Sequence, residues 1–364
     1  MSGLFSTLLR PVLFGFDAEQ AHGFAIKALK TGLAPGPVCL SDPRLRTTVA
    51  GISFPNPLGM AAGFDKNAEV PDALLRLGFG FAEVGTVTPI AQAGNPKPRV
   101  FRLVEDQAVI NRLGFNNAGH EAALGHLRAR QDKPGIVGVN IGANKDTEDR
   151  ADDYVRGINM FYGVATYYTV NISSPNTPGL RNLQARASLT ELLARVMAAR
   201  NDKASGKGRI VPVFLKIAPD LSEADLDDVA AELIANKVEG LIVSNTTLSR
   251  TGLKSANSKE TGGLSGIPLF ERSTIVLGKM RQRIGKNAAI IGVGGINSPE
   301  TALAKIEAGA DLVQLYTSFI YEGPGLANTI IKGLARAMDR SGAKSISEHC
   351  GRKTDEWAAR KIPD

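Results

Sequence analysis

The chain has 364 residues, of which 43% are hydrophobic and 22% charged, with 39 glycines. This composition indicates a folded protein with a sizeable core and many tight turns, and it excludes a largely disordered chain. The formal net charge of +7 favours anionic partners, but the charges are scattered and only 6% of residues are aromatic. A nucleic-acid-binding surface is therefore not indicated.

Cysteine and hydropathy patterns narrow the class further. Cys39 and Cys350 are the two cysteines, far apart in sequence, so neither a disulfide framework nor a clustered metal site is predicted. This cysteine usage predicts a protein of a reducing compartment. Because no apolar run approaches about 18 residues and no signal-peptide pattern opens the chain, we expect a protein that is neither membrane-spanning nor secreted.

Residues 1–40 are predicted to form two short helices outside the main domain. Apolar side chains crowd the first of them around Pro11: Leu4, Phe5, Leu8, Leu9, Val12, Leu13, Phe14 and Phe16. Asp17 and Gln20 predict a capping box for the second, which ends near residues 32–37, and its apolar face holds Ala21, Phe24, Ala25 and Leu29. These helices either pack on the neighbouring domain or form a hydrophobic mouth in a bilayer interface.

From about residue 56 short apolar runs alternate with helical patterns, which is typical of βα units. We count eight, the number that closes an α/β (β/α)8 TIM barrel, over residues 41–340, followed by a polar tail at 341–364. The helices include residues 189–200 and 222–236, the second capped by Ser222 with Asp225 at N3. The predicted strands are 58–62, 81–86, 136–141, 166–172, 211–217, 240–244, 289–293 and 312–316.

Polar or glycine-rich residues follow nearly every predicted strand, where barrel active sites lie. The turns Gly292–Gly295 and Tyr316–Ser318 follow the last two strands and match the usual phosphate site of such barrels. Lys66 and Lys216 fall at strand ends, where a cation could stabilise charge on a flavin, although each could instead be a lysine with its ammonium in solvent. The long polar loop 248–266 suits a mobile flap.

The segment 171–179, Asn-Ile-Ser-Ser-Pro-Asn-Thr-Pro-Gly, combines two amides with two serines at a strand end. Asparagines offer both donors and acceptors, so several together can hold a planar amide-containing ring and a carboxylate. The amides that could converge there are Asn111, Asn116, Asn171, Asn176 and Asn245, and turn-forming roles for some of them stay open.

This segment, together with 61–66 (AAGFDK), 111–117 (NRLGFNN), 244–247 (SNTT) and 262–266 (GGLSG), resembles class 2 dihydroorotate dehydrogenases. The resemblance runs from about residue 11 to residue 338. It implies that Ser174 removes a proton from C5 of dihydroorotate while a hydride leaves C6 for one FMN per subunit. Because serine is a weak base at neutral pH, Thr177 and Phe115 would flank it and gate a water.

The resemblance also implies the binding residues. Substrate would contact Lys66, Asn111, Arg112, Leu113, Gly114, Phe115, Asn116, Asn171, Asn176, Asn245 and Thr246. FMN would contact Ala62, Gly63, Phe64, Asp65, Lys66, Thr86, Asn140, Asn171, Lys216, Ser244, Gly266, Gly295, Tyr316 and Thr317. Ser244 stands where the family often has threonine, so flavin affinity could differ slightly.

Two features select the quinone-dependent class. Position 174 holds serine where class 1 enzymes carry cysteine, and helices precede residue 40. The resemblance then implies a tunnel with His22, Arg102 and Tyr316 as its polar residues, ubiquinone or menaquinone as acceptor, and peripheral attachment at the cytoplasmic face of the cell (inner) membrane. It implies a monomer or homodimer, no metal and no nucleic-acid partner.

Two other classes compete with this interpretation. A flavin barrel that reduces uridines in transfer RNA would fit the pI of about 9.3, but it needs an active-site cysteine and a helical RNA-binding domain. A phosphate-binding barrel without redox function would purify without a flavin spectrum.

Overall fold

The computed structural model describes residues 10–32 and 42–363. Eight parallel strands close into a barrel, which confirms the predicted fold. In their order around the barrel the strands are β10 (Gly240–Val243), β12 (Ala289–Val293), β13 (Leu312–Leu315), β3 (Leu58–Met60), β4 (Phe81–Val87), β7 (Ile136–Ile141), β8 (Tyr167–Asn171) and β9 (Val213–Ile217). Nearly every residue of these strands is buried, because helices cover the outside and side chains fill the inside.

Helices surround the barrel and join its strands. They are α3 (Pro71–Arg76), α4 (Gly119–Arg128), α5 (Arg150–Phe161), α6 (Arg186–Lys207), α7 (Glu223–Ala235), α8 (Phe270–Ile284), α9 (Pro299–Glu307), α10 (Thr317–Glu322) and α11 (Leu326–Ser341). The capping box predicted for α7 is present, with Ser222 and Asp225 bonded reciprocally. Helix α6 is longer at both ends than the apolar pattern predicts.

Three aromatic rings fill the amino-terminal half of the barrel interior. Phe81, Tyr167 and Phe214 lie near the starts of β4, β8 and β9, and the ring centroids are 6.3 Å apart for Phe81 and Tyr167 and 5.3 Å apart for Tyr167 and Phe214. A Cβ added at Gly59, Gly138 or Gly240 on a neighbouring strand would collide with one of these rings. Each large ring thus occupies the space that a glycine leaves, which is how small barrels reach interior packing density.

Two smaller sheets lie outside the barrel, and the sequence patterns predict neither. A hairpin of β1 (Thr47–Val49) and β2 (Ile52–Phe54) covers the amino ends, where Phe54 packs edge-on against Phe81 at 5.1 Å. An antiparallel sheet of β5 (Val100–Leu103), β6 (Ala108–Asn111) and β11 (Gly263–Gly266) lies near the carboxyl ends. Strand β11 belongs to the predicted flap, so the prediction of one loop through Gly266 is wrong at its end.

Two helices precede the barrel, α1 (Arg10–Gly15) and α2 (Ala18–Lys30). Asp17 caps α2 by accepting hydrogen bonds from the backbone of Glu19 and Gln20. Phe24 does not join the predicted buried face, since it is 44% exposed and packs edge-on against Phe16. The apolar residues predicted between Leu4 and Leu9, and Cys39, lie outside the described residues.

The chain after residue 340 returns to the barrel. Helix α12 (Thr354–Ala358) packs on α8, where Trp357 lies edge-on to Phe270 at 6.1 Å. A Cβ at Gly278 would lie 3.0 Å from Cβ of Trp357. In the described part of the chain, every helix is too short or too polar to cross a bilayer.

Candidate active site

A cavity of about 570 Å³ opens at the carboxyl ends of the barrel strands and continues between helices α1 and α2. Its barrel half is lined by polar side chains and glycines from the loops after the strands. Its helical half is lined by Leu13, Phe14, Ala18, Ala21, Ala25, Ala28 and Leu29. One space therefore joins a polar floor to an apolar mouth.

A chain of hydrogen bonds fixes the polar floor. Thr86 donates its hydroxyl to Oδ1 of Asn140 at 2.6 Å and accepts from Nδ2 of Asn171 at 3.0 Å. Nδ2 of Asn140 donates to Glu83 at 2.8 Å. Glu83 is fully buried, and it also accepts from Tyr167 Oη at 3.0 Å. A buried carboxylate with several donors holds these strand ends rigidly.

The loop after β8 carries the serine. Ser174 is 5% exposed, lines the cavity and accepts a hydrogen bond from the backbone nitrogen of Asn176 at 3.2 Å. Nδ2 of Asn176 donates to Oδ1 of Asn111 at 3.3 Å, which links the loop to strand β6. On the other side, Nδ2 of Asn245 donates to Oγ of Ser173 at 2.9 Å. Amides from three segments therefore frame Ser174.

Two predicted neighbours of the serine have distinct environments. The hydroxyl of Thr177 is buried and has no hydrogen-bond partner among the described residues. Such a group usually holds an ordered water. Phe115 lines the cavity with a positive φ of 54°, and a Cβ at Gly142 would lie 3.1 Å from its ring. The Phe115 ring therefore lies beside Thr86, next to the amide side chains of the cavity floor.

Two lysines face the cavity, and neither forms an ion pair within the described ranges. Burial lowers the pKa of Lys66 to about 8, with Arg99 acting in the same direction and Glu19 and Asp65 opposing it. Burial also lowers the pKa of Lys216, against the opposing charge of Glu83. Unpaired buried cations at strand ends are suited to an anionic ligand.

Glycines shape the far side of the floor. Gly266 and Gly295 have φ values of 100° and 70°. A Cβ at Gly266 would collide with the carbonyl oxygen of Gln107, and one at Gly295 with the start of α8 at Phe270. Nearby, the hydroxyl of Thr317 donates to Ser265 at 2.8 Å. Only glycine suits these two positions, where bare backbone can approach a ligand closely.

Aromatic side chains line the junction between the two halves of the cavity. Oη of Tyr316 lies 3.4 Å from Nδ1 of His22, and both rings pack edge-on against Phe64. Burial lowers the pKa of His22 to about 3, so its imidazole is neutral at physiological pH. Arg102 donates to the carbonyl oxygens of Phe14 and Phe16 at 3.3 and 3.0 Å, which fixes the end of α1.

A buried ion pair joins α2 to the barrel. Arg99 is 6% exposed and donates to both carboxylate oxygens of Glu19, at 3.0 and 2.7 Å. Its Nη1 also donates to the carbonyl oxygens of Ala93 and Asn95. This hydrogen bonding lowers the pKa of Glu19. Breaking such a pair on one side is costly because the other charge stays buried.

Most predicted site residues line this one cavity. Those that do are His22, Ala62, Gly63, Phe64, Lys66, Thr86, Arg102, Asn111, Leu113, Gly114, Phe115, Asn171, Ser174, Asn176, Lys216, Ser244, Asn245, Thr246, Gly266, Gly295, Tyr316 and Thr317. The five that do not are Asp65, Arg112, Asn116, Asn140 and Thr177.

Three of the five residues behind the lining have side-chain partners, namely Asp65, Arg112 and Asn140. Asp65 accepts from the backbone of Glu69 and Val70, both at 2.8 Å, and Arg112 pairs with Glu260 at 2.6 Å. Asn140 lies under Thr86, as described above. Oδ1 of Asn116, like the Thr177 hydroxyl, is buried without a partner among the described residues.

Sequence reasoning missed Glu83 and the Glu19–Arg99 pair. A carboxylate inside the apolar strand 81–87 was the available signal for Glu83, equivalent to that noted for Lys216. Cys350 lies away from the cavity, with Sγ 3.6 Å from Asp311 beside the amino end of β13. The described residues also contain no group of His, Cys, Asp and Glu side chains suited to a metal.

Comparison with known proteins agrees with this geometry. The family model for dihydroorotate dehydrogenase matches residues 44–338. Proteins from Brucella ovis and Brucella canis, both named dihydroorotate dehydrogenase (quinone), are 66% identical over the full length of both chains. A DHODH structure from Eimeria tenella in complex with ferulenol has a TM-score of 0.90 at 38% identity, covering 94% of this chain and 98% of its own. The chain therefore belongs to the dihydroorotate dehydrogenase family, in its quinone-dependent class.

Proposed function

We propose that this protein oxidises (S)-dihydroorotate to orotate in de novo pyrimidine biosynthesis, with FMN as its bound cofactor and a membrane quinone as final electron acceptor. The observation that carries the proposal is the single cavity that joins the amide floor around Ser174 to the apolar mouth between α1 and α2. A dehydrogenation site and a lipid-soluble acceptor both need access to one cofactor, and this space gives it.

The residues present fit FMN. Gly266 and Gly295 leave backbone bare for a phosphate, Thr317 adds a hydroxyl, and Lys216 supplies a cation without an ion-pair partner in the described chain. Thr86, Asn171 and Ser244 are the polar groups along the remaining floor. FMN held by these residues would supply the acceptor for the hydride that leaves C6 of the substrate and the electron donor for the quinone. Lys216 stabilises negative charge at this end of the barrel.

Ser174 acts as the base that takes the C5 proton. Its Oγ already accepts a hydrogen bond from the backbone of Asn176, which stabilises negative charge on the oxygen as the proton moves. The Thr177 hydroxyl, which has no partner among the described residues, would hold a water that takes the hydroxyl proton of Ser174 as Oγ takes the C5 proton. Phe115 covers the floor and excludes bulk water.

The substrate binds through the amides and one cation. Asn111, Asn176 and Asn245 supply donors and acceptors for the pyrimidine ring, and Lys66 neutralises the carboxylate. Because burial holds the pKa of Lys66 near 8, binding an anion recovers the cost of keeping it charged.

The quinone approaches through the helical half, past His22, Arg102 and Tyr316, and the protein associates peripherally with the cytoplasmic face of the inner membrane. The exposed apolar residues of α1, α2 and the link between them support this attachment, namely Val12, Phe24 and Phe16 at 61%, 44% and 44% exposure. Lys27 in the last turn of α2 suits anionic lipid, whereas Lys30 in the same turn pairs with Glu69.

Stopped-flow spectroscopy tests the whole proposal. Dihydroorotate should bleach the flavin of the purified protein, and a ubiquinone analogue, but not fumarate, should restore its colour at a catalytically competent rate. A protein that purifies without flavin, or whose flavin ignores dihydroorotate, would refute the function. Restoration by fumarate alone would refute the quinone assignment.

A further inference from the structure

Three loops at the carboxyl ends of β8, β9 and β10 meet at one side chain, Arg181. Its Nη1 donates to Oδ2 of Asp220 at 2.9 Å. Its Nε donates to the carbonyl oxygen of Ser173 at 3.1 Å, and its Nη2 to that of Thr246 at 3.1 Å. The planar guanidinium therefore fixes the relative placement of all three loops.

Asp220 holds the third loop from the other side. Its carboxylate accepts from the hydroxyl of Thr247 and, at 3.1 Å, from the backbone nitrogen of Leu248. Nη1 of Arg272 lies 3.7 Å from its Oδ1. The side chains of Arg181 and Asp220 are only 21% and 18% exposed, so solvent screens the pair incompletely.

We propose that Arg181 and Asp220 are positioning residues for the dehydrogenation. Resting on the function proposed above, this assigns them the spacing between the base and the substrate cage. The Ser173 carbonyl belongs to the peptide that leads into Ser174, and Thr246 follows Asn245 in the cage. Neither Arg181 nor Asp220 lines the cavity, so both act through the loops they hold. A shift of about 1 Å at a reacting group can cost on the order of 10²-fold in rate.

Arg181→Lys tests the geometry at constant charge, because one ammonium cannot span three acceptors. We expect flavin reduction by dihydroorotate to slow about tenfold or more, with KM for dihydroorotate changed less than kcat. Re-oxidation of the reduced flavin by a quinone analogue and the FMN content should stay within about twofold of wild type, because Gly295, Thr317 and the helical half of the cavity lie outside the three loops that Arg181 holds.

Asp220→Asn is the second variant, since it keeps the shape and removes the ion pair. It should slow the same half-reaction and spare the other. Arg186→Lys is the matched control, because Arg186 pairs with Asp228 and Glu232 on the exterior, and both half-reactions should be unchanged.

Each outcome decides the matter. A wild-type flavin that dihydroorotate does not reduce refutes the proposed function rather than this role. Given a responsive wild type, normal flavin reduction in Arg181→Lys and Asp220→Asn overturns the role. Loss of FMN together with loss of both half-reactions also overturns the positioning role, because that result indicates a general folding defect. If Arg181→Lys does not fold, Asp220→Asn alone decides.

Discussion

The hydroxyl of Thr86 donates a 2.6 Å hydrogen bond to the side-chain oxygen of Asn140, at the carboxyl ends of neighbouring strands β4 and β7. Asn140 passes the connection to the buried carboxylate of Glu83, at 2.8 Å. The cavity floor and the barrel interior are thus one hydrogen-bonded unit.

Asn140→Leu should lower the free energy of unfolding by about 1–3 kcal/mol, because Glu83 loses a donor inside the barrel. Urea unfolding monitored by circular dichroism measures the change. Thr169→Val is the control, since the Thr169 hydroxyl is buried without a partner among the described residues. It should be neutral or stabilising, and equal losses in the two variants would argue against the network.

Ser174→Ala should retain FMN and slow flavin reduction by dihydroorotate by roughly 10²–10⁴-fold, because the base is gone. Thr177→Val should slow the same step less and leave stability intact, since its hydroxyl has no partner to lose among the described residues. Single-turnover stopped-flow measurements check both. A near-normal rate in Ser174→Ala would remove serine from the mechanism.

Orotate affinity should be level below about pH 8 and fall above it. Burial places the pKa of Lys66 near 8 in the free protein, and an adjacent carboxylate raises it. Above pH 8 binding must take up a proton, so affinity drops by up to about tenfold per pH unit. Titration of the flavin spectrum with orotate measures this. Lys66→Met should bind weakly and lose this component of the pH dependence; an unchanged profile would contradict the assignment.

Gly295→Ala should reduce both stability and FMN retention, because its Cβ would collide with Phe270 and the φ of 70° is strained for alanine. Thermal unfolding and flavin release on dilution report the two effects. Gly125→Ala, in α4 with open space around it, should be neutral or stabilise by about 0.5–1 kcal/mol. Full FMN retention in Gly295→Ala would mean that this turn does not hold the phosphate.

Glu19→Gln should weaken the attachment of α2 and slow the quinone half-reaction by several-fold, while dihydroorotate reduces the flavin normally. The reason is that Arg99 stays buried without its counter-charge. Lys97→Met removes the exposed partner of Glu19, 3.6 Å away and 67% exposed, and should have little effect. Comparison of the two half-reactions separates this from a defect at Ser174.

The sequence predicts all eight barrel strands because strands buried on both faces read as short apolar runs. The sequence also predicts that most site residues lie together, since they follow predicted strands and the carboxyl ends of those strands meet at one end of the barrel. It does not predict β5, β6 and β11, which are short, peripheral and not uniformly apolar. The role of Glu83 was equally hidden, because its partners Tyr167 and Gln314 lie 84 and 231 positions away in the chain.

The hairpin beneath Phe81 has a consequence for turnover. Phe54 packs beneath Phe81, and the rings of Phe81, Tyr167 and Phe214 fill the amino-terminal half of the barrel interior. The amino end of the barrel is therefore closed to ligands. Ligands must enter and leave at the carboxyl ends of the strands, where α1 and α2 form part of the cavity wall. The turnover rate of the enzyme therefore depends on the position of α1 and α2, even when the residues around Ser174 are unchanged.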